Sequence, residues 1–210
     1  MRKVDPVKHE EKRREILEAA GRCFVRDGFR GASTSDICAE AKISPGHLYH
    51  YFPSKEAIVG AMTEAGLAHA TERFSRITQG PEVVAAFLAE IGSAKAIRDH
   101  SKQLLMLDML VEAGRNPAIG EILRKGSREG RTLFANFLRE GQERGQVDRS
   151  LDPNLAASVL LSVIDGAKTM TIRDPKLDMT KSVELLKILI ARFLAPPPES
   201  APKKKKKRPK

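Results

Sequence analysis

Tryptophan is absent from this chain, and all aromatic residues together make up only 5% of it. A β-sandwich draws its strands from aromatic and β-branched residues, so this scarcity points away from one and toward helices. Cysteine is almost as scarce: Cys23 and Cys38 are the whole supply. No CxxC or Cys/His spacing marks a zinc site. Both thiols fall inside apolar helical patterns and read as reduced core residues, because a redox sensor needs an exposed, thiolate-stabilising setting that the sequence does not offer. No apolar run approaches the ~18 residues that span a bilayer. Residues 1–14 are charged and lack the apolar core of a signal peptide. The expectation is a cytoplasmic protein with no membrane partner. Enzyme signatures are missing as well: no local Ser/His/Asp set, no HExxH, no glycine-rich phosphate loop and no carboxylate–histidine metal pattern. No catalytic residue, metal or cofactor is assigned.

What is abundant is positive charge, and it is unevenly placed. The formal net charge is +10, but residues 203–210 carry seven of those charges, so ten less seven leaves +3 for the remaining 202 residues. The body is only mildly basic, and the high pI overstates the case for nucleic acid. Residues 195–210 (APPPESAPKKKKKRPK) are low in complexity and cannot build a packed core, so a disordered tail is expected. Three roles fit that tail: non-specific DNA affinity through counterion release, a nuclear-import signal by composition only, or a solubilising terminus.

Residues 1–8 read as a short flexible basic arm. From residue 9 the pattern is helical: Ile16, Ala19, Ala20, Cys23 and Phe24 recur on one stripe. Gly28 is placed as a left-handed stop, with Phe29 supplying the accompanying apolar contact. Ser33 to Asp36 is a capping-box variant that opens a second helix. Lys42 and Ile43 make a tight turn. Ser44-Pro45 then opens a third, short helix to Tyr51, with Ser as cap and Pro at the position where no amide donor is lost. A long helix from Ser54 to about 79 follows. Further helices are expected at about 82–95, 98–114, 117–145, 153–172 and 179–194, and Gly126 with Gly130 divides 117–145 or weakens it.

The stretch Ser33 to Lys55 carries the function. Two short helices joined by a tight turn are clamped between longer ones. The second, Pro45 to Tyr51, presents Ser44, His47, Tyr49, His50 and Tyr51 around one apolar anchor, Leu48. A helix buried only for stability has no use for so many hydrogen-bonding tips, whereas a helix laid in the major groove does. Helix starts at Ser33 and Ser44 offer free amides to phosphates, and Gly46 lets backbone approach closely. The plainer readings stay open: Tyr49 and Tyr51 as packing residues, His47 and His50 as surface histidines.

This stretch resembles the TetR family of regulators. The resembling residues are Ile16 to Ala20, Phe24, Gly28-Phe29, Thr34, Asp36-Ile37, Ala39, Ala41, Ile43-Ser44, Gly46, Leu48-Tyr49, Tyr51-Phe52 and Ser54 to Glu56, without gaps over about residues 10–70. The resemblance implies an all-α protein: a three-helix helix-turn-helix head at residues 9–69 and a larger C-terminal helical bundle at 70–194. It implies a homodimeric repressor in the bacterial cytoplasm, at the nucleoid, that binds a palindromic double-stranded operator and releases it when an unknown small-molecule effector binds. Carried over by position, Thr34, Ser35, Ser44, Pro45, Gly46, His47, Tyr49, His50 and Tyr51 face the groove or the backbone, and Lys55 grips a phosphate. Pro45 departs from the polar or basic residue frequent there. Proline donates no hydrogen bond, which shifts base reading toward His47 and His50.

The C-terminal half resembles the subgroup that includes regulators of choline and betaine genes, through Arg115-Asn116-Pro117, Gly141 to Val147, Asp152-Pro153, Ala156-Ala157 and Asp165-Gly166. Apolar stripes at Phe134, Phe137 and Leu138 and at Leu155, Val159 and Val163 suit a four-helix dimer interface, or else the protomer core. Leu105, Met106 and Met109 are candidate walls of an effector pocket, since methionine adapts to irregular ligands; the same stripe also suits a core. Two rival classes are weighed: a helical enzyme or carrier, for which no motif speaks, and an architectural DNA-binding protein acting through its tail alone.

Overall fold

Polar caps set the register of the chain. In the computed structural model, which describes residues 5–93 and 99–198, nearly every helix opens on a side chain that takes up a first-turn amide. The outer part of the expected basic arm (residues 1–4), the end of one expected helix (94–98) and the basic run of the tail (199–210) lie outside the described residues.

Helix α1 (Pro6–Gly31) begins earlier than the pattern predicts, because Asp5 accepts from the Val7 amide and Pro6 sits in the first turn. Its stripe Ile16, Ala19, Ala20, Cys23 and Phe24 is buried as the spacing requires. Gly28 takes φ 71 and ψ 169, a conformation open only to glycine, and the last turn swings inward so that Phe29 packs on Phe24 with ring centroids 5.6 Å apart. Helix α2 (Thr34–Ala41) carries the full capping box: the Asp36 amide donates to Ser33 Oγ at 3.1 Å, and the Ser33 amide donates to Asp36 Oδ2 at 2.8 Å. Lys42, at φ 54, is left-handed and turns the chain. Helix α3 (Pro45–Tyr51) follows, capped by Ser44, then α4 (Lys55–Gln79), capped by Ser54.

The bundle consists of α5 (Val83–Ser93), α6 (His100–Ala113), α7 (Pro117–Glu143), α8 (Pro153–Lys168), the single turn α9 (Met170–Arg173) and α10 (Met179–Leu194). Helix α7 runs unbroken through Gly126 and Gly130. At Gly126 a Cβ would stand 2.5 Å from Thr63 Cγ2: the glycine is there for close approach to α4, not for a break. The chain is all-α among the described residues.

Two apolar cores form. One joins α1, α2, α3 and the start of α4 around Phe24, Ile37, Leu48 and Ile58, and it takes in Met109 of α6 and Ile119 of α7. The other fills the bundle around Phe87, Phe134, Phe137, Leu160 and Ile190. Helix α4 belongs to both, with Ile58 in the first and Ile77 in the second, so the helix crosses the boundary expected near residue 69. Cys23 and Cys38 are free and buried in the head, and desolvation pushes both thiols above their ordinary values, as core residues should behave.

Three expectations are corrected here. Phe134, Phe137 and Leu138 are at most 3% exposed within a single protomer. They face the bundle interior between α4, α5 and α8, so no second copy can reach them. Met109 is buried in the head core and Leu105 packs against it, with Met106 half-buried beside them. Met109 is therefore a core residue and not a pocket wall, whereas Leu105 lines a groove of about 730 Å³ between α1, α4 and α6, with Leu17, Met62 and His69. Finally, residues 153–173 form a 21-residue helical stretch of mean hydropathy 1.4, apolar enough by length and composition to cross a membrane, though only 22% of that window is buried.

Candidate nucleic-acid interface

Helix α3 is held by one anchor and turned outward everywhere else. Leu48 is 1% exposed, and Phe52, just past the helix end, is 3% exposed. Around that anchor Ser44, Pro45, Gly46, His47, Tyr49 and His50 are exposed, with Tyr49 at 52%. No atom stands within 4 Å of where a Gly46 Cβ would sit, so the first turn is open to a close neighbour. Ser44 Oγ is committed to the His47 amide at 3.2 Å. Seven residues thus expose two imidazoles and a phenol on a surface braced by a single leucine.

Tyr51 is half-buried and belongs to an aromatic cluster. His9, from α1, stacks on it with centroids 4.6 Å apart, and His47 and His50 each lie 5.4 Å from it. His9 also meets His50 edge-on at 6.2 Å. The sequence reading assigns nothing to His9; the 41 residues between it and Tyr51 conceal the contact, and no periodicity within α1 signals it. Arg13, one turn further along α1, lies over the Phe52 ring at 5.5 Å. The first helix therefore sets the pose of the third with rings and a guanidinium.

At the start of α2, Thr34 is half-buried and Ser35 exposed, beside the Asp36 carboxylate. Hydrogen bonds from the Ser33 side chain and amide hold the Asp36 carboxyl below its ordinary value, so it stays charged. The Thr34 and Ser35 side chains take no part in the capping bonds.

Lys55 is placed differently from its expectation. Its ammonium donates to the carbonyls of Phe29 at 2.6 Å and Ala32 at 2.7 Å, and lies 4.5 Å from the centre of the Phe29 ring. It closes the carboxyl end of α1 against the start of α4. This is an internal strut: a cation satisfying the last carbonyls of a helix. Residues this close to a helix start read as phosphate ligands in sequence, and only the fold shows the carbonyls already there.

The head is fastened to the bundle through α6. The Phe29 amide donates to Asp108 Oδ2 at 2.7 Å. Arg30 donates to Glu112 Oε2 at 2.8 Å, and Glu112 is only 6% exposed. Asn116 donates to Glu56 Oε1 at 3.2 Å. Asp108 thus ties α6 to the chain at the glycine kink.

Within the bundle, Phe74, Phe87, Phe134 and Leu161 line a cavity of about 230 Å³ between α4, α5, α7 and α8. None of Leu105, Met106 and Met109 reaches it.

A braced, outward-facing helix after a tight turn, carried by a small helical head, defines a helix-turn-helix DNA-binding protein. Residues 16–62 match the bacterial regulatory proteins of the tetR family, and residues 82–195 match the BetI-type transcriptional repressor C-terminal domain. The chain belongs to the TetR family of transcriptional regulators, with a BetI-type C-terminal domain. It is similar to the HTH-type transcriptional regulator UidR of Escherichia coli, 29% identical over 154 residues, covering 73% of this chain and 78% of the relative. It is also similar to the nicotine-responsive transcriptional repressor HdnoR of Paenarthrobacter nicotinovorans, 24% identical over 168 residues, covering 79% and 86%. Among solved structures, Salmonella enterica GusR superposes with a TM-score of 0.70 at 25% identity, covering 88% of this chain and 95% of that one.

Proposed function

We propose that this regulator is a ligand-responsive homodimeric repressor whose α3 helices read the two halves of a palindromic operator. The observation that carries the reading is the exposure of His47, Tyr49 and His50 around a buried Leu48. Imidazole and phenol tips reach base edges and phosphates, and the close packing of His9 on Tyr51 holds them in one pose. Thr34 and Ser35 supply backbone contacts from α2.

A dimer is supported by apolar faces that the protomer leaves uncovered. On α8, Leu155 is 69% and Val159 52% exposed; on α10, Leu185, Ile188, Leu189 and Phe193 recur at helical spacing and are exposed. Val163 is half-buried at the inner edge of the α8 face. Two such helices per protomer form a self-complementary four-helix face. The second helix of that face is α10, whereas the apolar stripe of α7 is spent on the protomer core. The same pairing accounts for the exposure of the apolar 153–173 stretch without a membrane.

Effector binding in the bundle cavity biases the spacing of the heads. Successive major grooves lie ~34 Å apart, so a state with altered head separation loses operator affinity. Helix α4, shared by both cores, and the α6 ligands Asp108 and Glu112 carry the change to the head.

Selection of bound genomic fragments identifies the operator, and anisotropy titration then compares Tyr49→Ala with the native chain. The expected result is a loss of operator affinity of at least tenfold with unchanged melting, since Tyr49 buries little. Native-like affinity in that variant refutes the assignment of α3 as the reading helix.

A further inference from the structure

The bundle cavity has walls of one kind and a rim of another. Phe74, Phe87 and Phe134 surround it with ring centroids 5.1–6.0 Å apart. Ile91 of α5 and Leu161 of α8 complete an apolar interior. Rings at such separations pack on one another, and together they form one aromatic wall against which a further flat ring can lie. At about 230 Å³ the cavity falls below the ~300–1,000 Å³ of sites for drug-sized ligands, which limits the occupant to one ring or two fused rings.

Gly130 keeps the space open. It lies inside α7 and lines the cavity, and no atom stands within 4 Å of where its Cβ would be. Glycine weakens a helix interior relative to alanine, and here a side chain would fit without collision. The residue leaves volume where packing alone would fill it.

The rim carries four charged groups, Arg73, Glu90, Asp165 and Lys168. Lys168 donates to Asp165 at 2.6 Å, so those two neutralise each other. Glu90 has an interaction partner of its own. Arg73 makes no hydrogen bond or ion pair among the described residues. A guanidinium at the mouth of an aromatic pocket suits a carboxylate, which it grips through two parallel N–H donors.

Resting on the reading of this bundle as an effector domain, we propose that the effector is a compact aromatic carboxylate, its ring against the wall of three phenylalanines and its carboxylate on Arg73. A cationic aromatic brings like charge to Arg73, and a neutral one lacks an orienting partner.

Calorimetric titration of the full chain with 2-naphthoate, 2-naphthamide and 2-naphthylmethylammonium tests this. Naphthoate is expected to bind at least tenfold more tightly than either analogue. Arg73→Gln, at an exposed position that leaves folding intact, weakens naphthoate about tenfold and changes naphthamide less than twofold. Gly130→Phe fills the cavity and abolishes binding, while Gly130→Ala, which adds one methyl to open space, retains it. Equal affinities for the three probes, no binding of naphthoate by the native chain, an unchanged naphthoate affinity in Arg73→Gln, or saturable binding in a folded Gly130→Phe would each overturn the proposal. Operator affinity is measured separately with naphthoate present. Binding that depends on Arg73 and Gly130 but leaves operator affinity unchanged upholds the ligand class and refutes the ligand-responsive reading instead.

Discussion

Replacing Lys55 by methionine separates two roles, an internal strut and a phosphate ligand. Methionine keeps an unbranched stem of similar length and removes the ammonium. In the native chain that ammonium donates to Phe29 O at 2.6 Å and Ala32 O at 2.7 Å, and lies over the Phe29 ring. A hydrogen bond to a charged group contributes about 1.5–3 kcal/mol, and an exposed cation–π contact about 0.5–1 kcal/mol. Lys55 is half-buried, and water can reach carbonyls at a helix end, so the sum is discounted to about 2–4 kcal/mol. For a chain of this size each kcal/mol moves the melting midpoint by about 2–4 °C. The expected fall is therefore roughly 4–16 °C, read by circular dichroism without DNA at one fixed protein concentration, because dimerisation couples to melting. A phosphate ligand behaves in the opposite way. Its loss leaves melting alone and makes the salt dependence of operator binding less steep by about one per protomer. Unchanged melting together with a reduced salt slope refutes the strut.

His9→Ala removes the ring stacked on Tyr51, and anisotropy should report operator affinity lower by about three- to tenfold, with helix content retained; native affinity refutes its role in posing α3. Leu155→Arg combined with Leu189→Arg places charge on both uncovered faces, and sedimentation equilibrium should show monomers where the native chain is dimeric. A dimer that persists in this variant moves the interface elsewhere. The carboxyls of Asp36 and Asp178, hydrogen-bonded at helix starts, and of Glu56, bonded chiefly by its own amide, are held below their ordinary values. Depressed folded values mean stability that is full above the ordinary carboxylate range near pH ~4 and is lost as pH falls through the lower folded values. Melting should therefore change little between pH 7 and 5 and drop below pH 4, less so in Asp36→Asn, which keeps an acceptor but cannot titrate; equal acid sensitivity in that variant removes Asp36 from the account.

The head was the most legible part of the chain, for a reason visible in particular residues. Its helices start at Ser33, Ser44 and Ser54, each followed by the amide it caps, and its stripe Ile16 to Phe24 falls on one face. These are local signals, complete within a few residues. In the bundle, local signals located helices but misassigned faces. Phe134, Phe137 and Leu138 form an apolar stripe that looks the same whether a partner or the protomer covers it. Met106 and Met109 look the same facing a pocket or a head. The uncovered face of α10 was overlooked because Leu185, Ile188 and Leu189 alternate with the buried Leu186 and Ile190, so apolar residues surround most of the helix.

By itself, the sequence determined the all-helical class, the helix starts, the turn between α2 and α3, and the exposed polar tips of α3. Caps, proline placement and 3.6-residue periodicity are short-range chemistry and need no neighbours to be read. Tertiary structure alone decided what each face meets. Lys55 became a strut because the bend at Gly28 brings two carbonyls to it; His9 joined the ring cluster of α3 because α1 lies across that helix; and α4 became the shared beam because both cores close on it. Such pairings span tens of residues in sequence, and only the folded chain brings them within bonding distance.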